Sequence, residues 1–269
     1  MEEIKGIRRK IDECDQRIIS AFEERMKAVR DILNYKRKSG LAIYDIGREA
    51  EVVERAIKNT DNPLYHEEVR ELIESIIKIS RKMQSRLLFP YNLVLIGFMG
   101  TGKTTVGNQL ASMLDMNLLD MDSIIEERLG LSISEYFQLK GEPAFRQLEK
   151  ELVKEVSSHS NTIISCGGGV VLQDENIDNL RTNGKLILLW ASEETIYHRL
   201  KDDETRPLLK INNPLNSIKE LLEKRDSLYK SAADLVINTD DKTPEEVCSE
   251  IIGRLLNSRS GDETSGTNV

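Results

Sequence analysis

The chain has 269 residues, of which 31% are charged and 39% hydrophobic, with a formal net charge of −8. No basic block interrupts it, so no nucleic-acid partner is expected, and its longest apolar runs, at 93–96 and 186–190, are far too short to span a membrane. Cys14, Cys166 and Cys248 are too scattered for a disulfide framework or a zinc site, and the charged segment MEEIKGIRRK lacks the apolar run of a secretory signal, so a reducing, cytoplasmic setting is expected.

Helical periodicity opens the chain. Ile4, Ile7, Ile11, Cys14 and Ile18 step by three and four, and Ala21, Ala28 and Ile32 continue the seam. This spacing predicts a helix to about residue 38, roughly 50 Å long. Ser39-Gly40 should break it, and a second helix is predicted over 45–58. Asp61-Asn62-Pro63 reads as a turn and helix start. A third helix follows over 64–87, with the seam Val69, Ile73, Ile76, Ser80, Met83 and Leu87. A monomer would leave most of the first helix bare, so a homodimer through it is expected.

Polar residues interrupt these seams. Arg25 stands where an apolar residue is due, and Lys36, eleven residues on, is only roughly 20° around the helix, on the same face. Arg8 lies about 100° away from Arg25 and ~25 Å along the axis, so it must serve a different pocket. Asp45, Arg48 and Glu49 fall at i, i+3 and i+4, one face of the second helix. Ser80 lies on the third seam, with Gln84 one turn on. The residues alone allow two readings. One is a dimerising bundle with surface ion pairs. The other is a pocket of converging cations for a small dianion.

After Phe89-Pro90-Tyr91 the rhythm changes. Short apolar runs at 93–96, 118–119, 162–165, 186–190 and 235–237 alternate with amphipathic stretches such as 104–114 and 145–156. That alternation is the pattern of a parallel α/β sheet. The segments are thus a helical domain over 1–89, an α/β domain over 90–257, and a polar tail over 258–269 expected to be disordered.

GFMGTGKT, residues 97–104, sits between a buried strand and a helix, where a phosphate-binding loop works. Its glycines let backbone N–H groups close on phosphate oxygens. Lys103 would reach the β- and γ-phosphates, the Thr104 hydroxyl would be placed for Mg²⁺, and the helix N-terminus favours the anion. Gly100, Thr101, Gly102, Lys103, Thr104 and Thr105 are therefore candidate ATP contacts. The loop alone does not say which kinase or NTPase this is. Four features narrow the choice: Asp120-Met121-Asp122 after the second strand, at the sheet edge where ligands bind; Phe145-Arg146 with Glu149, starting a helix; Gly167-Gly168-Gly169 after the third strand; and Arg206-Pro207 in a polar segment, 201–215, that reads as a lid. His66, His159 and His198 have no ligand spacing, and Trp190 and Cys166 read as core.

Taken together, GFMGTGKTT, LLDMD, EPAFRQLE, CGGG, TRPLL and KRDSLY resemble shikimate kinase over 92–256. The resemblance implies a nucleoside-monophosphate-kinase-like fold with ATP and Mg²⁺. It places Asp122, Arg146, Gly168 and Arg225 on shikimate, and Asp122 on the attacking hydroxyl. Asp120, with Thr104, would hold Mg²⁺, in the case of Asp120 through water. Arg206 would close over ATP from the lid, and Lys242 stands near the adenine, where relatives often have arginine. The competing reading is a gluconate- or nucleoside-monophosphate-type kinase of the same fold.

The helical segments IRRKIDECDQRI, ERMKAVRDILNYK, DIGREAEV and SRKMQ resemble the all-helical chorismate mutases, over about 3–88. That resemblance implies an intertwined three-helix dimer. Each site would be lined by Arg8 of one chain with Arg25, Lys36, Asp45, Arg48, Glu49, Ser80 and Gln84 of the other. Arg8 and Arg25 would grip carboxylates of chorismate, Lys36 and Gln84 would donate to its ether oxygen, and Glu49 would accept from its ring hydroxyl. The alternative is a non-catalytic, allosteric or dimerisation module for the kinase. The two reactions implied belong to one aromatic route without being consecutive, so channelling between them is not implied.

Overall fold

The structure, a computed structural model, describes residues 1–39, 46–201 and 214–264. It divides into two compact units, Met1–Gln84 and Ser85–Val269.

The first unit consists, among the described residues, of α1 (Glu2–Ser39), α2 (Ile46–Lys58) and most of α3 (His66–Leu88). α1 is described to Ser39; Gly40, where the sequence predicts the break, lies outside the described residues. Asn62 accepts a hydrogen bond from the Leu64 N–H, and Pro63 opens a single 3-10 turn over Pro63–Tyr65. α3 therefore begins at His66, two residues later than its periodicity predicts, because proline and the Asn62 cap shape the entry first. One apolar side chain per helix is buried here: Leu33, Val53 and Ile77. The seam of α1 stays uncovered within the chain, with Ile4 56%, Ile7 55%, Ile11 54% and Ile18 56% exposed.

The second unit is built on a five-stranded sheet in the order β2-β3-β1-β4-β5. Its strands are β1 (Asn92–Ile96), β2 (Asn117–Asp120), β3 (Thr162–Ser165), β4 (Gly184–Trp190) and β5 (Leu235–Asn238). All pairings are parallel, with Leu95 beside Ser165 and Ile187, and Asp120 beside Ser165. A central parallel strand is covered on both faces, so β1 is apolar from Leu93 to Ile96 and wholly buried. The helices are α4 (Lys103–Leu114), α5 (Met121–Leu129), α6 (Ile133–Ser157), α7 (Asp174–Thr182), α8 (Glu193–Leu200), α9 (Pro214–Ala232) and α10 (Pro244–Thr264). From β1 the chain crosses outward to β2, returns to β3, then moves to the other side of β1. The loops after β1 and β3 therefore meet at the carboxyl edge of the sheet, the place such folds use for ligands.

One detail fits the sequence reading of a helix start at Phe145-Arg146, and a second departs from it. α6 is two helices joined at Gly141, whose φ of 77° and ψ of 169° are non-helical, with Pro143 opening the second segment. That second segment carries Phe145, Arg146 and Glu149. α10 continues to Thr264, so residues 258–264 of the tail expected to be disordered are helical. Ile251, Ile252 and Leu255 are buried in this helix. Once those turns are fixed, each further residue adds a hydrogen bond at the cost of ordering only itself.

Candidate functional site

The loop between β1 and α4 has the backbone a phosphate cradle needs. Gly97, Gly100 and Gly102 have φ of 143°, 76° and 93°, which disfavours any side chain there. Gly102 is the N-cap of α4, so the free N–H groups of its first turn face the loop. The Lys103 ammonium donates to the carbonyls of Gly97 and Phe98, each at 2.9 Å, and so is held within the loop. The Thr104 hydroxyl donates to Asp120 Oδ2 at 3.0 Å. Asp120 accepts the Ser123 N–H through Oδ1, capping α5. Thr101 is buried and donates to the Phe98 carbonyl, whereas Thr104 and Thr105 are exposed.

Beside this loop lies a cluster of charge around the three glycines after β3. A Cβ on Gly167 would sit 2.6 Å from Asp122 Oδ1 and 3.2 Å from Glu149 Oε1, and one on Gly169 would collide with the Arg146 guanidinium. Asp122, Glu149 and Arg146 therefore crowd against backbone where only glycine leaves them room. Arg146 donates from Nη1 to Glu149 and from Nη2 to Glu142, each at 2.8 Å. Burial pushes the Glu149 carboxyl above the ordinary carboxylate range; Arg146 pulls it back, and the nearby Asp122 adds to the rise. Arg225 and Tyr229, one turn apart on α9, both donate to the Gly168 carbonyl, Arg225 at 3.2 Å. Burial raises the Tyr229 phenol to about 12, so at neutral pH it is a donor.

A third group frames the loop from the far side. Arg199 donates to the Gly100 carbonyl at 3.3 Å, to Thr239 Oγ1 at 3.0 Å and to the Thr239 carbonyl at 2.8 Å. Thr239, just past β5, donates to the Thr101 carbonyl at 3.3 Å. Lys242 donates to the Asn238 carbonyl at 2.9 Å and pairs with Glu250 at 2.7 Å. Arg206 lies outside the described residues. Cys166 and Trp190 pack as core, Cys166 fully and Trp190 partly.

In the helical unit, Arg25 of α1 donates to Ser80 Oγ on α3, and Ser80 in turn donates to the Ile76 carbonyl at 2.7 Å. Desolvation lowers the pKa of Arg25. Glu49 of α2 lies 3.6 Å from Arg81 of α3, and Arg48 pairs with Glu51 along its own helix at 2.8 Å. Lys36 and Gln84 are half-buried, and Arg8 is on the exposed part of α1. The unit thus joins Arg25 to Ser80 and α2 to α3 through Glu49, and leaves Arg8 apart. Asp45 lies outside the described residues.

Sequence reasoning assigned no role to Glu142, Arg199, Tyr229, Thr239 or Arg81. For Glu142 and Tyr229 a signal existed: each is one helical turn from an arginine of interest. Arg199 and Thr239 are forty residues apart and meet only through the sheet.

Residues 99–256 match the family model of shikimate kinase, and residues 7–85 that of chorismate mutase type II. The shikimate kinase of Thermodesulfovibrio yellowstonii is 48% identical over 161 residues, which are 60% of this chain and 92% of that protein. That of Caldicellulosiruptor bescii is 47% identical over 161 residues, 60% and 93% of the two chains. Among solved structures, Acinetobacter baumannii shikimate kinase in complex with shikimate superposes with a TM-score of 0.62 at 33% identity, covering 65% of this chain and 98% of that one.

Proposed function

The chain belongs to the shikimate kinase family through residues 99–256, with a chorismate mutase type II region before it, and on that footing we propose how each half works. The kinase half transfers the γ-phosphoryl of ATP to a hydroxyl of shikimate. The observation that carries this reading is the meeting of the phosphate loop with Asp122, Arg146 and Arg225 around Gly167–Gly169. Arg146 and Arg225 take the acceptor's carboxylate, which a planar guanidinium can grip with two hydrogen bonds. Asp122 holds the ring hydroxyls and orients the attacking one. Phosphoryl transfer has a loose transition state, so positioning and charge neutralisation do most of the work. Lys103 supplies charge once phosphate oxygens replace the carbonyls that now hold it. Arg206, outside the described residues, would add charge at ATP as the family reading has it. Lys242 stays near the adenine end as a partner of Glu250.

Mg²⁺ suits the residues present. Among the described residues no group of three His, Cys, Asp or Glu side chains converges into a protein cage. Thr104 and Asp120 instead offer one hydroxyl and one carboxylate, hard oxygens of the kind Mg²⁺ takes alongside phosphates and water. When bound with the nucleotide, the ion neutralises phosphate charge. Phosphorylation of shikimate, compared with gluconate and nucleoside monophosphates, tests the assignment; no turnover of shikimate would sink it.

The helical half rearranges chorismate to prephenate. This unimolecular step needs the two ends of the substrate held together and the developing charge on the ether oxygen stabilised. Arg25, braced by Ser80, and Arg8 of the other protomer hold carboxylates, with Arg48 nearby. Lys36 and Gln84 donate to the ether oxygen, and Glu49 accepts from the ring hydroxyl. The bare isoleucine seam of α1 supports a homodimer as the working form. A non-catalytic module would also present that seam, and kinetics of residues 1–90 separate the two: a fragment that dimerises without turnover is a module. No described helix is long and apolar enough to cross a membrane, and free Cys14, Cys166 and Cys248 suit a reducing cytoplasm.

A further inference from the structure

The acceptor arginine Arg225 does not stand alone. It sits one turn before Tyr229 on α9, and both side chains end on one atom, the Gly168 carbonyl oxygen. Tyr229 is 2% exposed, so a lost hydroxyl contact there is poorly replaced by solvent, and removing one buried partner leaves the other wanting. On its other side Gly168 lies in ordinary van der Waals contact with the phosphate loop. A Cβ there would lie 3.4 Å from the Met99 N–H nitrogen and 3.6 Å from the Gly97 carbonyl oxygen. The Gly168 peptide is therefore wedged between the phosphate loop on one side and the Arg225–Tyr229 pair on the other.

We propose that Tyr229 is a positioning residue of the kinase: its buried hydroxyl fixes the Gly168 peptide, and through that carbonyl the rotamer of Arg225 at the acceptor carboxylate. The proposal rests on the shikimate kinase reading given above. Tyr229 touches neither the phosphates nor the acceptor. It acts by sharing the Gly168 oxygen with Arg225, leaving the remaining guanidinium N–H groups aimed at the ligand. Without the hydroxyl, Arg225 is the only side chain left on that oxygen. It must then divide its donors between the Gly168 carbonyl and the substrate, and the peptide is free to rotate against Met99. The specific consequence is weaker acceptor binding with nucleotide binding preserved, because Lys103 is held by the Gly97 and Phe98 carbonyls within the phosphate loop itself.

The test uses the full chain. First, the wild-type protein is assayed for ATP-dependent phosphorylation of shikimate; absence of that activity overturns the kinase reading itself. With activity present, Tyr229→Phe is compared with wild type. The KM for shikimate should rise about three- to tenfold, the range one hydrogen bond spans, with the KM for ATP unchanged. The same substitution in an Arg225→Ala background should add little, since the hydroxyl acts through Arg225. Unchanged KM for shikimate in Tyr229→Phe, or equal effects with and without Arg225, overturns the proposal. A loss of fold, or a parallel rise in both KM values, also overturns it, because either would make Tyr229 a packing residue rather than a positioning one.

Discussion

Arg146 and Glu149 form a 2.8 Å ion pair one turn apart on α6, with the carboxylate side chain 1% and the guanidinium 14% exposed. The pair is buried against Gly167–Gly169, so it fixes Arg146 before any acceptor arrives. A buried pair broken on one side leaves an uncompensated charge, which costs about 3 kcal/mol or more. Glu142, on the solvent side, offsets part of this. Glu149→Ala should therefore lower unfolding stability by roughly 2–3 kcal/mol in denaturant titrations, and raise the KM for shikimate more than that for ATP.

The same carboxylate sets a pH dependence. Burial raises its folded pKa above the model-compound value of 4.5. A raised acid favours folding in its protonated form, so this contribution is present below about 4.5 and is lost as pH rises through the folded value. Activity runs the other way, since protonated Glu149 no longer holds Arg146. The KM for shikimate should rise on the acid side, and that limb should vanish in Glu149→Gln. An identical acid limb in the variant would assign the titration to another group.

Lys103→Met should lower kcat for shikimate phosphorylation by on the order of 10³-fold, as loss of a transition-state cation does. Mutase turnover of the same preparation should be unchanged. Lys36→Ala should do the reverse, slowing the rearrangement by about 10²–10³-fold through loss of a donor to the ether oxygen. A variant that abolished both reactions would show that the two halves do not work independently.

Thr104→Val keeps the shape of the side chain and removes the hydroxyl that meets Asp120. The Mg²⁺ concentration for half-maximal kinase activity should rise about tenfold, the equivalent of one good polar contact. A Mg²⁺ titration at saturating ATP and shikimate measures it; an unmoved midpoint would leave Thr104 as a hydrogen-bond donor to Asp120 rather than a ligand.

Ile11→Lys places a charge in the middle of the exposed seam of α1. Sedimentation should show the dimer giving way to monomer, and mutase activity should fall with it while kinase activity persists. A monomeric variant with full mutase turnover would refute the shared site that Arg8 implies.

Much of this was legible in the residues themselves. The phosphate loop reads directly because glycine, lysine and threonine at that spacing serve one chemistry. The strands read as short apolar runs because a parallel sheet is buried on both faces. The seam of α1 gave its helix. What stayed hidden depends on distance in sequence or on local backbone. Arg199 and Thr239 meet only because β4 and β5 are neighbours, and no local pattern encodes that pairing. The length of α10 was missed because its last turns are polar and extend a helix anchored earlier.

The bare isoleucines of α1 also set the two halves under different laws of mass action. The α/β unit buries its core within one chain, so its stability is independent of how much protein is present. In the proposed dimer a second molecule covers Ile4, Ile7, Ile11 and Ile18, so the stability of the helical unit would carry a concentration term. Dilution should therefore silence the rearrangement before the phosphorylation. The ratio of the two activities then becomes a readout of how much of the protein a cell contains.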